Sequence, residues 1–250
     1  MNISQMTSKR LISLFIPCLV DLAYPDIGIA MAKILHHLGY NLNYNSQQTC
    51  CGQPAFNAGH RDEAKKVAGC FIETFKNCEC LVSPSGSCTA MIKNYYPSLF
   101  ENDNLHEAAV MLGSKAFEFS QFLEIENLID KLSGKYSGRI GFHNSCHSYR
   151  ELGIVTTPLN ILKRIDGIEI IQPPGEPVCC GFGGLFSFKF DEIAATMAKT
   201  RLEMFTALNV EMIVSNDPGC LMHMHQEAKD LQLDVQFLHL TQFLVRAMNL

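Results

Sequence analysis

A chain of 250 residues has room for one large domain or two modest ones, and at 47% hydrophobic and 18% charged it reads as a folded, soluble protein. A net charge of −5 without a basic stripe removes the electrostatic case for nucleic acid. Eleven cysteines, an odd number that includes adjacent pairs, fit metal binding in a reducing compartment better than a secreted disulfide scaffold.

The first apolar run is 11-LISLFIPCLV-20, preceded by Lys9 and Arg10 in the outline of a signal peptide. It is too short to span a bilayer. Pro17 also stands before Cys18 where a lipoprotein cleavage site would want a small residue. The expectation is a buried strand over 10–17, no transmembrane segment, and a cytoplasmic protein. A helix follows over 25–39, with Pro25 at its start and apolar residues at helical spacing. Next come a short strand over 41–45, the loop 49-TCCGQPA-55, a helix over 61–76, and the strand 80-CLVS-83 leading to Cys88. An insertion around 100–112 precedes the closing phrase 120-SQFL-123.

The succession then starts again. Strand 138-GRIGFHNS-145 delivers Cys146, a helix begins at Pro158, and a strand over 169–172 leads to the loop 178-VCCGFGG-184. A helix over 191–208, the strand 212-MIVS-215, Cys220 and the phrase 241-TQFL-244 complete it. Cys18 lies 32 positions before Cys50 and Cys51 lies 37 before Cys88; Cys146 lies 33 before Cys179 and Cys180 lies 40 before Cys220. The turns 83-SPSGSC-88 and 215-SNDPGC-220 also correspond. Chance does not readily give these matches in one order, so the chain is a duplication. The expected fold is α/β, with two homologous domains over 1–130 and 131–250, each a small, mainly parallel sheet flanked by helices. In such sheets ligands sit at the carboxyl ends of the strands, which is where the cysteines fall.

Each half gathers four thiols from three loops: Cys18, Cys50, Cys51 and Cys88 in the first, Cys146, Cys179, Cys180 and Cys220 in the second. Four thiolates hold an iron–sulfur cluster or a tetrahedral zinc ion, and the residues alone do not separate the two. Gly52 and Gly181 let each pair turn sharply, while Gly183 and Gly184 offer further amides to bound sulfur. The Gly181–Gly184 stretch is not a dinucleotide loop, because it follows a cysteine pair rather than a strand. Cys70, Cys78 and Cys80 have no counterparts in the other half and read as packing residues. His143, His147 and Arg150 surround Cys146 alone. They either act as cation and base toward a substrate or order the loop.

The repeated Cys…Cys-Cys-Gly…Cys arrangement resembles the CCG domain found in the cysteine-rich subunit of heterodisulfide reductase. It also resembles the iron–sulfur subunits of glycolate oxidase and anaerobic glycerol-3-phosphate dehydrogenase. The closer resemblance, over essentially the whole chain, is to the lactate-utilisation protein A family. It is carried by 18-CLVD-21, 50-CCGQPAFNAG-59, 83-SPSGSC-88, 143-HNSCH-147, 150-RELG-153, 179-CCGFGGLFS-187 and 219-GCLM-222. The resemblance implies an iron–sulfur subunit of a three-protein system that oxidises L-lactate to pyruvate. Its partners would be a ferredoxin-like iron–sulfur protein and a third small subunit. It further implies one cluster per domain, expected as [4Fe-4S], with zinc as the alternative at the first site. The wider CCG pattern has a fifth cysteine per site. Here Met91 and His223 stand at those positions, which counts against disulfide-cleaving chemistry and makes His223 a candidate ligand or donor to cluster sulfur. The rival readings are a zinc-stabilised scaffold and a thiol–disulfide enzyme.

Overall fold

The computed structural model describes residues 10–175 and 178–250; Lys9 of the signal-like flank lies outside them. Strands β1 (Leu11–Leu14), β2 (Asn41–Tyr44), β3 (Leu81–Ser83) and β4 (Ala116–Glu118) form one parallel sheet, in the order β2-β1-β3-β4. Strands β5 (Gly134–His143), β6 (Ile165–Ile171), β7 (Met212–Ser215) and β8 (Gln236–His239) form a second, in the order β6-β5-β7-β8. The expected α/β class and its duplication are therefore what the chain forms. Central strands such as LVS and MIVS are short apolar runs buried on both faces, as parallel sheets covered by helices require. In both sheets the chain leaves the first strand in one direction and returns on its other side at the third. That switch point opens a crevice at the carboxyl ends of β1 and β3, and of β5 and β7.

The second half departs from expectation at β6, which begins at Ile165 instead of 169. Strand β5 begins early, at Gly134, so that Gly134 and Lys135 pair with Ile165 and Asp166 before the register slips ahead of Gly138. Asp166 is paired in that register, and Gly167, at φ +88°, sits at the irregularity that follows. The helix in front of β6, expected over 158–167, is correspondingly shorter, Thr157–Leu162. The insertion of the first half forms the helix His106–Lys115, which leads into β4.

The closing phrases exchange partners. Helix Phe119–Ile125 of the first repeat packs on Thr157–Leu162 of the second, where Thr157 Oγ1 donates to Glu124 Oε2 at 2.8 Å. Helix Leu240–Met248 packs on Pro25–His37, with Thr241 Oγ1 donating to the Ile27 carbonyl at 3.1 Å. One apolar core accordingly runs through both repeats, joining Ile12, Met31 and Phe122 to Phe142, Val214 and Phe243.

Each exchanged helix is capped by a buried ionisable residue at a matching position. Glu118 Oε2 accepts from the amides of Ser120 (2.8 Å) and Gln121 (3.2 Å). His239 Nδ1 accepts from the amide of Thr241 at 3.2 Å. Burial pushes the Glu118 carboxyl up to about 7 and the His239 imidazole down to about 4. Between about pH 6 and 5 the native chain keeps a Glu118 proton that the unfolded chain releases, which raises stability as the pH falls. Over the same interval it refuses a His239 proton that the unfolded chain takes up, which lowers stability by a similar amount. Each contribution is about 1.4 kcal/mol per pH unit, and the two offset one another. Glu118→Gln therefore makes stability fall on acidification over this interval, while His239→Gln makes it rise. Urea unfolding at the two pH values reads the slopes; the same sign in both variants contradicts the assignment.

Candidate metal centres

Each site is assembled from matching parts. Cys18 opens the helix Cys18–Ala23 directly after β1, and Cys88 lies in the first turn of Gly86–Ala90 after β3. Cys146 precedes the π-type turn His147–Glu151 after β5, and Cys220 lies in the first turn of Pro218–Asp230 after β7. The sulfurs form a chain of contacts. Cys18 Sγ lies 3.7 Å from Cys50 Sγ, and Cys51 touches both Cys50 and Cys88. In the second half Cys179 touches Cys146 and Cys180, and Cys180 touches Cys220. The amides of Gly52 and Gly181 donate to Cys50 and Cys179, both at 3.4 Å.

These contacts divide the thiols. The thiol of Cys18, then that of Cys51, donates to Cys50 and holds it down to about 3; Cys146 and Cys180 lower Cys179 in the same way. The donors, Cys18, Cys51, Cys146 and Cys180, are pushed up by the same hydrogen bonds and by burial. Thus in each set the same position, Cys50 or Cys179, is the one its neighbours' hydrogen bonds lower.

All eight repeated cysteines line a single cavity of about 190 Å³. The two halves meet there through Asp217, a buried carboxylate that faces both. Its Oδ2 accepts from the Ser87 amide at 3.0 Å and the Ser85 hydroxyl at 3.3 Å, and its Oδ1 from the Gly219 amide at 3.0 Å. Ser85 and Asp217 occupy corresponding positions of the two cysteine turns, so the equivalent turns of the two halves touch there. Tyr96 supports the first pair from beneath, its hydroxyl donating to the Cys51 carbonyl at 2.9 Å.

Gly52 and Gly181 have φ of +81° and +88°. A Cβ at Gly52 would stand 3.3 Å from the Ala64 carbonyl oxygen, and one at Gly181 only 2.5 Å from that of Ala194. Gly183 and Gly184, with φ of +50° and +61°, lie on the cavity wall.

The histidine–arginine trio is not brought together. His147 lines the cavity, its Nδ1 3.7 Å from Cys146 Sγ and its Nε2 3.4 Å from Gln53 Nε2. His143 is fully buried, and its Nδ1 accepts from Arg201 Nε at 3.2 Å. Arg150 is exposed and does not line the cavity. His223 lies outside the cavity too, its Nε2 3.1 Å from the Ala194 carbonyl oxygen. Met91, at the other fifth position, is fully buried in an apolar cluster. Cys78 and Cys80 are buried as expected of packing residues, whereas Cys70 is exposed, on the outer face of the helix Arg61–Phe75.

Asp217, Arg201, Gln53 and Tyr96 belong to the site without having been singled out by the sequence. Only Arg201 left a trace. It stands on the otherwise apolar stripe of helix Asp191–Thr206, where the first repeat has Phe71.

Two thiol-lined sites, one at each switch point of a duplicated parallel α/β fold, define a tandem cysteine-rich protein. The chain belongs to the CCG cysteine-rich domain family, whose model matches residues 12–93 and again 140–225, and its curated relatives include proteins named Lactate utilization protein A. It is 38% identical over 234 residues to Lactate utilization protein A of Oceanobacillus iheyensis, covering 93% of this chain and 96% of that one. To Lactate utilization protein A 2 of Bacillus cereus it is 36% identical over 241 residues, covering 95% and 99%. Among solved structures it is similar to a glutamate racemase from Francisella tularensis, at 15% identity and a TM-score of 0.39, covering 96% of this chain and 79% of that one. So remote a likeness carries no functional argument.

Proposed function

We propose that the chain is the iron–sulfur subunit of an L-lactate-oxidising complex, with one [4Fe-4S]-type cluster held by Cys18, Cys50, Cys51 and Cys88 and another by Cys146, Cys179, Cys180 and Cys220. The supporting observation is the convergence of both repeated cysteine sets on one cavity. The donor set fits the group: four sulfurs per site, one amide aimed at the sulfur of each pair, and glycine where the loop must turn inward. Thiolate-held iron–sulfur clusters take up and return single electrons.

The cavity wall argues that electrons, and not lactate, reach this subunit. Among the described residues no lysine or arginine lines it, and the carboxylate of a 2-hydroxy acid would face Asp217 and the thiols, with the His147 imidazole beside it. Oxidation of the substrate then falls to a partner, in line with a ferredoxin-like protein and a third small subunit. Exposed apolar side chains on the elements next to the cysteine loops suit docking. Leu22, on the helix that begins with Cys18, and Phe188, on the helix Leu185–Lys189 after Gly184, are 84% and 81% exposed. Among the described residues no helix is long and apolar enough to cross a membrane.

One observation favours zinc at the first site. The 3.7 Å between Cys18 Sγ and Cys50 Sγ is close to the edge of a tetrahedron with metal–sulfur arms of about 2.3 Å. A zinc ion in contact with all four ligands leaves the shared cavity unused, however, and zinc carries no electrons. The discriminating experiment adds lactate, without oxygen, to the assembled complex and records paramagnetic resonance. A reduced signal that disappears in Cys50→Ser and Cys179→Ser supports the proposal; a signal unchanged in both contradicts it.

A further inference from the structure

The two sites differ beneath their cysteines. In the first repeat Phe15 and Phe71 meet edge to face, ring centroids 4.7 Å apart, and Phe71 packs on Phe75, also at 4.7 Å. The corresponding positions of the second repeat hold His143, Arg201 and Phe205. There Arg201 Nε donates to His143 Nδ1 at 3.2 Å, and the guanidinium lies over the Phe205 ring at 4.4 Å. The framework around them is the same in both halves: Ala64 and Ala68 against Ala194 and Ala198, Ile72 against Leu202, all buried. One architecture thus holds an aromatic pair in one copy and a cation with an imidazole in the other.

Arg201 is only 4% exposed, and none of the ion pairs among the described residues includes it. Its remaining polar contact is from Nη1 to the Met204 sulfur at 3.8 Å. Burying a cation is costly unless an anion compensates it, and the same fold manages without one at Phe71. The compensating charge lies at the cysteines: a His143 ring nitrogen and the sulfurs of Cys180 and Cys220 all lie within 4.8 Å of one another. Once deprotonated as cluster ligands, the sulfurs of Cys180 and Cys220 stabilise the guanidinium, which stays protonated at neutral pH although burial lowers it to about 10. His143 is not a third ligand. Its Nδ1 lone pair is taken by the Arg201 N–H, so the proton of the neutral ring sits on Nε2, and the pair presents only N–H and positive charge. Asp217 also bears on Cys146 and Cys220 and opposes Arg201 there, but it accepts hydrogen bonds from the Ser85 hydroxyl and the Ser87 and Gly219 amides, whereas Arg201 has no oxygen acceptor among the described residues.

We infer that Arg201, with His143, makes the second cysteine site the one more favourable to added negative charge, so that a protein carrying one electron carries it in the second half. The inference rests on the iron–sulfur reading. Nearby positive charge and N–H donors raise the reduction potential of a thiolate-held centre, and the first site has neither in the equivalent place.

The test is a potentiometric titration of the full-length protein, purified without oxygen and followed by paramagnetic resonance. The wild type is compared with Arg201→Gln, which keeps an N–H but loses the charge, and Arg201→Lys, which keeps the charge. Cys179→Ala marks the wave that belongs to the second site. That wave is expected to be the higher of two. Arg201→Gln lowers it by about tenfold or more in the one-electron equilibrium, about 59 mV. Arg201→Lys stays near the wild type, and the other wave does not move. A second-site wave lost in Arg201→Gln but kept in Arg201→Lys supports the same need for charge. The inference is overturned when the higher wave survives Cys179→Ala, when the two Arg201 variants shift alike, or when both lose the cluster, since the residue is then structural. Iron and sulfide absent from the wild type is a separate failure, which removes the iron–sulfur reading and the inference with it.

Discussion

Alanine at position 181 is expected to empty the second cysteine site while the first stays loaded. The φ of +88° costs an L-residue about 1–2 kcal/mol. The new Cβ would also stand 2.5 Å from the Ala194 carbonyl oxygen, an atom fixed in the backbone of helix Asp191–Thr206. Neither side yields easily, so the loop must back away and take Cys179 and Cys180 with it. Gly52→Ala meets the same backbone cost, but its Cβ would lie 3.3 Å from the Ala64 oxygen, which a small shift accommodates. The expected result is about half the wild-type metal content for Gly181→Ala, with stability reduced by roughly 3 kcal/mol or more. Gly52→Ala should keep most of its metal and lose about 1–2 kcal/mol. Metal analysis and urea unfolding measure both; equal losses in the two variants contradict the packing argument.

Asp217→Ala should damage both sites at once. It strips an acceptor from three donors, the part-buried amide of Ser87, the buried amide of Gly219 and the buried hydroxyl of Ser85. Each buried donor left without a partner costs about 1–3 kcal/mol, for a total of roughly 3–5 kcal/mol. The Ser85–Ser87 turn carries Cys88 and the Gly219 turn carries Cys220, so metal is lost from both halves. Asp217→Asn keeps one acceptor oxygen and should cost less. Metal lost from the second site alone would show that Asp217 does not join the halves.

Much of this architecture is legible in the sequence because duplication turns weak local signals into a comparison. A cysteine after a strand means little alone; Cys18 and Cys146, each followed at nearly equal distance by a Cys-Cys-Gly loop, mean a site. The switch points follow from strand–helix alternation, and the cysteines fall beside them. The exchange of closing helices is not legible. An amphipathic pattern over 240–248 announces an apolar face but not its owner, and Thr241 reaches Ile27 across 214 positions. The separation of His147 from Arg150 is hidden for another reason. Their turn is π-type, so ordinary helical spacing misplaces which side chain faces the cavity. Arg201 escapes notice because a charged residue in an amphipathic helix reads as surface until it is set beside Phe71.

The central claim is that both cysteine sets hold iron–sulfur clusters, and elemental analysis of protein purified without oxygen tests it most directly. Two [4Fe-4S]-type clusters predict about eight iron and about eight acid-labile sulfide per chain, with roughly half of each lost in Cys179→Ala. One or two zinc ions per chain, with no sulfide, would contradict it.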